Sequence, residues 1–119
     1  MQPTIDLYLK AVDLAKQKEG LGNQDKMILN RFKILLRSGA TEDADGELAR
    51  MGKVKRTTLH SIRELAESVF EDWVRNLEVD DAERERMLDK GKRRGDVAEA
   101  YLLSELKSQG MISDERKEK

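Results

Sequence analysis

An all-α fold, a compact bundle of about four to six short helices, follows from three features of the sequence. Charged residues make up 39% of the 119 residues, and with one proline and eight glycines this mixture suits surface helices laced with ion pairs. Apolar residues recur at intervals of three and four along most of the chain. Glycines and capping residues fall where those periodic runs stop and start. A chain of this size buries roughly two thirds of its unfolded surface, enough for one core. A single domain over residues 1–112 is expected, with 113–119 as a disordered charged tail because no apolar residue follows Ile112.

Each helix is argued from its own residues. Ile5, Tyr8, Leu9, Val12 and Ala15 follow Pro3-Thr4 at helical spacing, which predicts a first helix over 4–18 ended by Gly20 and Gly22. Asn23 is a candidate N-cap for a second helix, with Met27, Ile28, Phe32, Leu35 and Leu36 on one face and Gly39 as its left-handed stop. From Thr41 the pattern weakens, and TEDADGELARMG predicts a short, imperfect helix or turn with Leu48 and Met51 as its apolar contacts. The strongest helix holds Leu59, Ile62, Leu65, Ala66, Val69, Trp73 and Leu77 on one stripe, widened by Phe70 and Val74. Asp80 or Asp81 then caps a shorter helix through Met87 and Leu88, which is expected to stop at the glycine of LDKGKRRG. Asp96 with Glu99 forms a capping-box pattern that opens a last helix carrying Val97, Tyr101, Leu102 and Leu106, ended by Gly110.

The same composition narrows function. Net charge is -1, from 23 basic and 24 acidic residues, so the chain as a whole lacks the field of a general nucleic-acid or membrane-surface binder. Without cysteine it has no thiolate nucleophile, thiolate metal site or disulfide, and the solitary His60 builds no multi-histidine site. The start lacks a cationic segment followed by an apolar core, and about 18 apolar residues never run together. An intracellular protein that is not an enzyme and carries no cofactor or metal, and has no membrane partner, is the expectation.

Four groupings bear on chemistry. Asp43-Ala-Asp45-Gly46 resembles part of a calcium loop, but its register puts Gly52 where a bidentate glutamate is needed, so an acidic turn is expected. Glu64, Glu67, Glu71 and Asp72 share their helix with Arg63 and Arg75 and read as a solvated face, and His60 as a surface or capping residue. Trp73 reads as a core peg. The basic clusters Lys53-Val-Lys55-Arg56 and Lys90-Gly-Lys92-Arg93-Arg94 each suit a phosphate, an acidic peptide, a nuclear import signal or plain solvation of a loop.

Leu48-Ala-Arg50-Met51-Gly52-Lys53-Val54, followed by Ile62-Arg63-Glu64-Leu65-Ala66-Glu67-Ser68-Val69-Phe70-Glu71-Asp72-Trp73, resembles the amino-terminal domain of transcription elongation factor TFIIS. That family shows a leucine, a hydrophobic-Gly-Lys step, and a helix of the form Ile-Arg-x-Leu-Ala-x-x-Leu-Val-x-x-Trp. With ILNRFKILL upstream, the likeness spans residues 24–78. The spacer between Gly52 and Ile62 is shorter than the family's, Val74 stands where a lysine is common, and Glu71-Asp72 is unusually acidic. The resemblance implies a non-catalytic nuclear module that docks disordered peptide segments of transcription-related proteins. On it, Gly52 makes a close turn, and Ile62, Leu65 and Trp73 fill the core. Lys53, Lys55, Arg56 and Arg63 meet an acidic peptide, with Phe70 and Val74 as apolar groove residues. Two other expectations stand beside it. One is a small nucleic-acid-associated helical protein using Lys90, Lys92, Arg93 and Arg94, and the other a homo-oligomeric structural bundle.

Overall fold

The structure, a computed structural model, describes residues 3–38 and 47–113. Among these residues the order of elements is α1 (Pro3–Ala15), α2 (Asn23–Ser38), α3 (Glu47–Met51), β1 (Val54–Lys55), α4 (Arg56–Arg75), α5 (Asp81–Ser108) and β2 (Ile112–Ser113). The all-α bundle predicted from the sequence is what the chain forms, with a parallel pair of two-residue strands as its one addition. Gly39 and the acidic turn at Asp43–Gly46 lie outside the described residues.

α4 is the central element and packs against α1, α2 and α5, while α2 also lies on α5 and α1. Tyr8, Phe32 and Phe70 meet in the middle, Tyr8 stacked on Phe70 at 4.7 Å between centroids and edge-on to Phe32 at 5.9 Å. Around them Val12, Ile28, Leu29, Leu36, Leu102 and Leu106 are fully buried. Helix ends are closed by local chemistry. Asp25 Oδ2 accepts from the Gly22 N–H at 3.2 Å, so Gly22 rather than Asn23 holds the N-cap position of α2. Asp80 caps α5 by accepting from the Glu83 N–H at 2.8 Å. Arg84 donates to the carbonyls of Leu77 at 2.7 Å and Val79 at 3.2 Å and so holds the α4–α5 turn.

Two sequence expectations are corrected here. The last third of the chain is one 28-residue helix, not two helices broken at Gly91. Its buried residues are Met87, Gly91, Gly95, Ala98, Leu102 and Leu106, one stripe at steps of four, four, three, four and four in which both glycines are members. A Cβ on Gly91 would lie 2.2 Å from Cε2 of Phe70, and one on Gly95 would lie 2.7 Å from Nη2 of Arg63. Glycine is therefore present to let α4 approach, not to end the helix. Asp96 and Glu99 accordingly sit inside α5 and face α4 instead of forming a capping box.

The buried face of α4 is also rotated from the predicted stripe. Leu59, Ile62, Arg63, Ala66, Phe70 and Val74 are inside, whereas Leu65, Val69 and Trp73 are half-buried on one flank, Trp73 resting against the core's rim. The rotation follows from Arg63, whose charge is neutralised inside the bundle so that its side of the helix can be buried.

The Gly91–Phe70 contact makes a sharp prediction. Alanine is favoured over glycine in a helix by about 1 kcal/mol. Overpacking against a ring that has no room to move costs about 1–3 kcal/mol. Gly91→Ala should therefore lower the urea midpoint, while a raised midpoint would show that α4 and α5 are not in close contact there.

Candidate functional site

The residues singled out from the sequence separate into three groups. Arg63, Phe70 and Val74 are interior. Phe70 and Val74 are fully buried, so they line no groove, and this part of the expected docking surface is corrected. Arg63 is 3% exposed and is committed to its own fold. Its Nη2 donates to Oε1 of Glu67 at 2.5 Å, and its Nη1 to Oε1 of Glu99 and Oδ1 of Asp96, both at 2.8 Å. The Tyr8 hydroxyl donates to the same Glu67 oxygen at 3.1 Å. Burial alone would lower the Arg63 pKa, but the hydrogen bonds that it donates to Glu99 and Asp96 outweigh it and hold the guanidinium above its ordinary value. Burial, reinforced by the Glu67 carboxylate, pushes the Tyr8 phenol well above its ordinary range. His60 belongs to the rim of this network, with Nδ1 3.1 Å from Glu99 and Nε2 3.2 Å from Glu64.

The second basic cluster is largely engaged. Arg93 pairs with Asp89 at 3.0 Å, Lys92 lies 3.9 Å from Asp96, and Arg94 donates to the Leu36 carbonyl at the end of α2. Lys90 is exposed beside Arg93, at a recess of about 350 Å³ shared with Glu83 and Asp89. Carboxylates beside these cations compete with any phosphate for them.

The first cluster is arranged differently. Gly52 turns the chain with φ 81, a left-handed conformation that favours glycine. The chain then enters β1, with Val54 fully buried between the exposed Lys53 and Lys55, and Arg56 half-buried at the start of α4. Gln24 fixes one side of this segment, its Nε2 donating to the carbonyls of Met51 at 3.1 Å and Lys53 at 2.8 Å. The other side receives the chain after α5. Gly110, with φ 68, ends that helix in a Schellman turn, its N–H donating to Lys107 O at 3.0 Å and that of Met111 to Leu106 O at 2.8 Å. The Val54 N–H then donates to Met111 O at 2.7 Å, and Ile112 and Ser113 pair in parallel with Val54 and Lys55. A two-residue strand leaves no alternating signal in the sequence. The sequence offers only a Lys-Val-Lys between a glycine and a helix.

A further recess of about 540 Å³ opens between the end of α1 and α4, where Leu14, Leu65 and Val69 form apolar walls and Lys18 stands at the edge. Among the described residues no helix is long and apolar enough to cross a membrane, and no group of three or more His, Asp or Glu side chains is placed to hold a metal ion. No protein family, curated protein or solved structure matches the chain.

Two outcomes follow from the Arg63 network. Removing one partner of a buried ion pair typically costs about 3–5 kcal/mol. Arg63→Ala should fall near the lower end, because Asp96 (53% exposed) and Glu99 (21% exposed) still reach water. An unchanged denaturant midpoint would mean that the guanidinium is solvated. The neutral Tyr8 phenol adds stability that is complete below the unfolded tyrosine pKa of about 10 and falls as pH rises beyond it, since the unfolded chain then binds fewer protons. Tyr8→Phe should flatten the alkaline loss of stability between about pH 10 and 11.5, and parallel curves for both proteins would contradict the burial of its hydroxyl.

Proposed function

We propose that this chain is a non-catalytic protein-interaction module of the transcription elongation type, which docks short disordered peptide segments of partner proteins. One observation carries the reading. The strand Val54–Lys55, with Lys53 just before it, presents two exposed cations, and the strand already pairs with Ile112–Ser113. Main-chain hydrogen bonds at such a strand supply affinity, while flanking side chains supply selectivity. Here the flanking charge is positive, which favours peptides carrying carboxylates.

The likeness to the TFIIS amino-terminal domain supports the same reading through Leu48 to Val54 and Ile62 to Trp73. Gly52 makes the turn that the resemblance implies, and Ile62 is in the core. The interaction surface of this proposal is Lys53, Lys55 and Arg56, without Arg63, Phe70 and Val74, which are interior. A nuclear location belongs to the same proposal. The nucleic-acid reading draws less support, since Arg93, Lys92 and Arg94 each have a partner within the fold.

Amide NMR tests this directly. The labelled protein is titrated with a pool of short acidic peptides, each with one phenylalanine, and separately with duplex DNA at two salt concentrations. Peptide shifts centred on Gly52 to Thr57 are expected. The double substitution Lys53→Glu/Lys55→Glu should weaken binding by about tenfold, in line with two lost charge contacts of a few tenths to 1 kcal/mol each. Salt-sensitive DNA shifts at Lys90 to Arg94, with silence from every peptide, would sink the proposal.

A further inference from the structure

The proposed docking site is occupied by the chain itself. We infer that Met111-Ile112-Ser113 is a cis-bound occupant of a strand-addition site on Val54–Lys55. The segment is displaced by an extended partner peptide of the same chemistry, two apolar residues and a small polar one followed by acids. The inference rests on the peptide-docking reading and adds to it both the form of the peptide and the means by which the site is kept closed.

The pairing is short and local. It spans two residues of each strand, Val54 with Ile112 and Lys55 with Ser113. Met111, Ile112 and Ser113 are each only half-buried, whereas Val54 beneath them has no exposure. The segment thus covers an apolar position of the domain, with Met111 and Ile112 packed at the edge of the core but not enclosed by it, as a replaceable strand is. Its attachment is equally local, since the Schellman turn at Gly110 delivers it directly from the last turn of α5. A tether of so few residues holds its site at an effective concentration on the order of millimolar, so a partner in trans must outcompete it.

Charge specifies the peptide residues beyond the strand. In a parallel ladder, a peptide that continues past the partner of Lys55 runs toward Arg56 and the start of α4. The first turn of α4 holds no acidic side chain, and Lys55 at its N-cap makes no side-chain cap hydrogen bond. Acids at these peptide positions meet Lys55, Arg56 and the positive end of a 20-residue helix. The chain's own sequence has this form, Gly110-Met-Ile-Ser-Asp-Glu115. The ladder carries the inference, and the helix start sets only the preferred sign of charge.

The experiment uses the full chain. Ser113→Pro removes the N–H that a parallel partner of Val54 must donate, and so releases the segment without touching β1. Wild type and variant are titrated with a blocked peptide of sequence GMISDE and with its counterpart in which Lys replaces both acids. The released variant should bind GMISDE with amide shifts at Gly52 to Thr57, at least about tenfold more tightly than wild type. The lysine peptide should bind it more weakly. Equal affinity of the two proteins, or a folded variant whose β1 amides do not respond, overturns the inference. Binding of acidic peptides elsewhere, for example between Leu14 and Val69, rejects the inference but leaves the docking reading standing. If no peptide binds either protein, both fail. Should Ser113→Pro unfold the chain, hydrogen exchange of unaltered protein decides. The Val54 amide must then open at least about tenfold more often than that of Ala66 in the α4 core, and exchange of both at one common rate rejects a detachable strand.

Discussion

The close approach of α4 to α5 governs the arrangement of every other element. Phe70 lies over Gly91, and Arg63 with the Tyr8 hydroxyl lies over Gly95, in space that any Cβ on α5 would occupy. Because α5 offers bare backbone at these two points, a ring and a guanidinium from α4 fit between the helices. α1 is then drawn in by the stacking of Tyr8 on Phe70 and its hydrogen bond to Glu67. An ion pair of this kind adds little net stability over an apolar substitute, while removing one of its partners is costly. Arg63 facing Glu67, Asp96 and Glu99 at once sets the rotation of both helices.

That seam also governs the proposed docking surface. Unbroken through Gly91 and Gly95, α5 carries the chain about 42 Å at 1.5 Å per residue before Gly110 turns it. The turn falls beside Val54, which is why a two-residue ladder forms there and nowhere else among the described residues. α2 is locked to the same helix by Arg31, which forks onto Glu105 at 3.0 and 2.8 Å, and by Arg94 on the Leu36 carbonyl. Gln24, near the start of α2, then holds the opposite side of the Lys53 segment. The core and the surface are thus parts of one arrangement, with α5 as its common member.

Charge has been divided between structure and surface in a way that composition conceals. Arg63 and Arg31 are nearly inaccessible and Arg94 serves a helix end, so several of the 23 basic residues work inside the fold. Lys53 and Lys55 stay in solvent on a segment whose backbone is already extended. A short basic cluster gains meaning from this difference in backbone, since KGKRR lies on a helix among carboxylates and KVKR runs through a two-residue strand into the start of α4.

Legible from the string of residues alone were the fold class, the presence and approximate place of α1, α2 and α4, an aspartate cap at position 80 or 81 and the stop at Gly110. Each of these depends on neighbours within about one helical turn, and local periodicity and capping chemistry report such neighbours. Packing in three dimensions settled the continuity of α5, the inward side of Arg63, Phe70 and Val74, and the pairing of Val54 with Ile112. A glycine reads as a helix stop until another helix is known to need the space its missing side chain leaves. An arginine reads as solvated until carboxylates from a second helix are known to surround it. A strand of two residues has no period to detect, and its partner lies 58 positions away along the chain, so its formation is decided by where α5 ends in space.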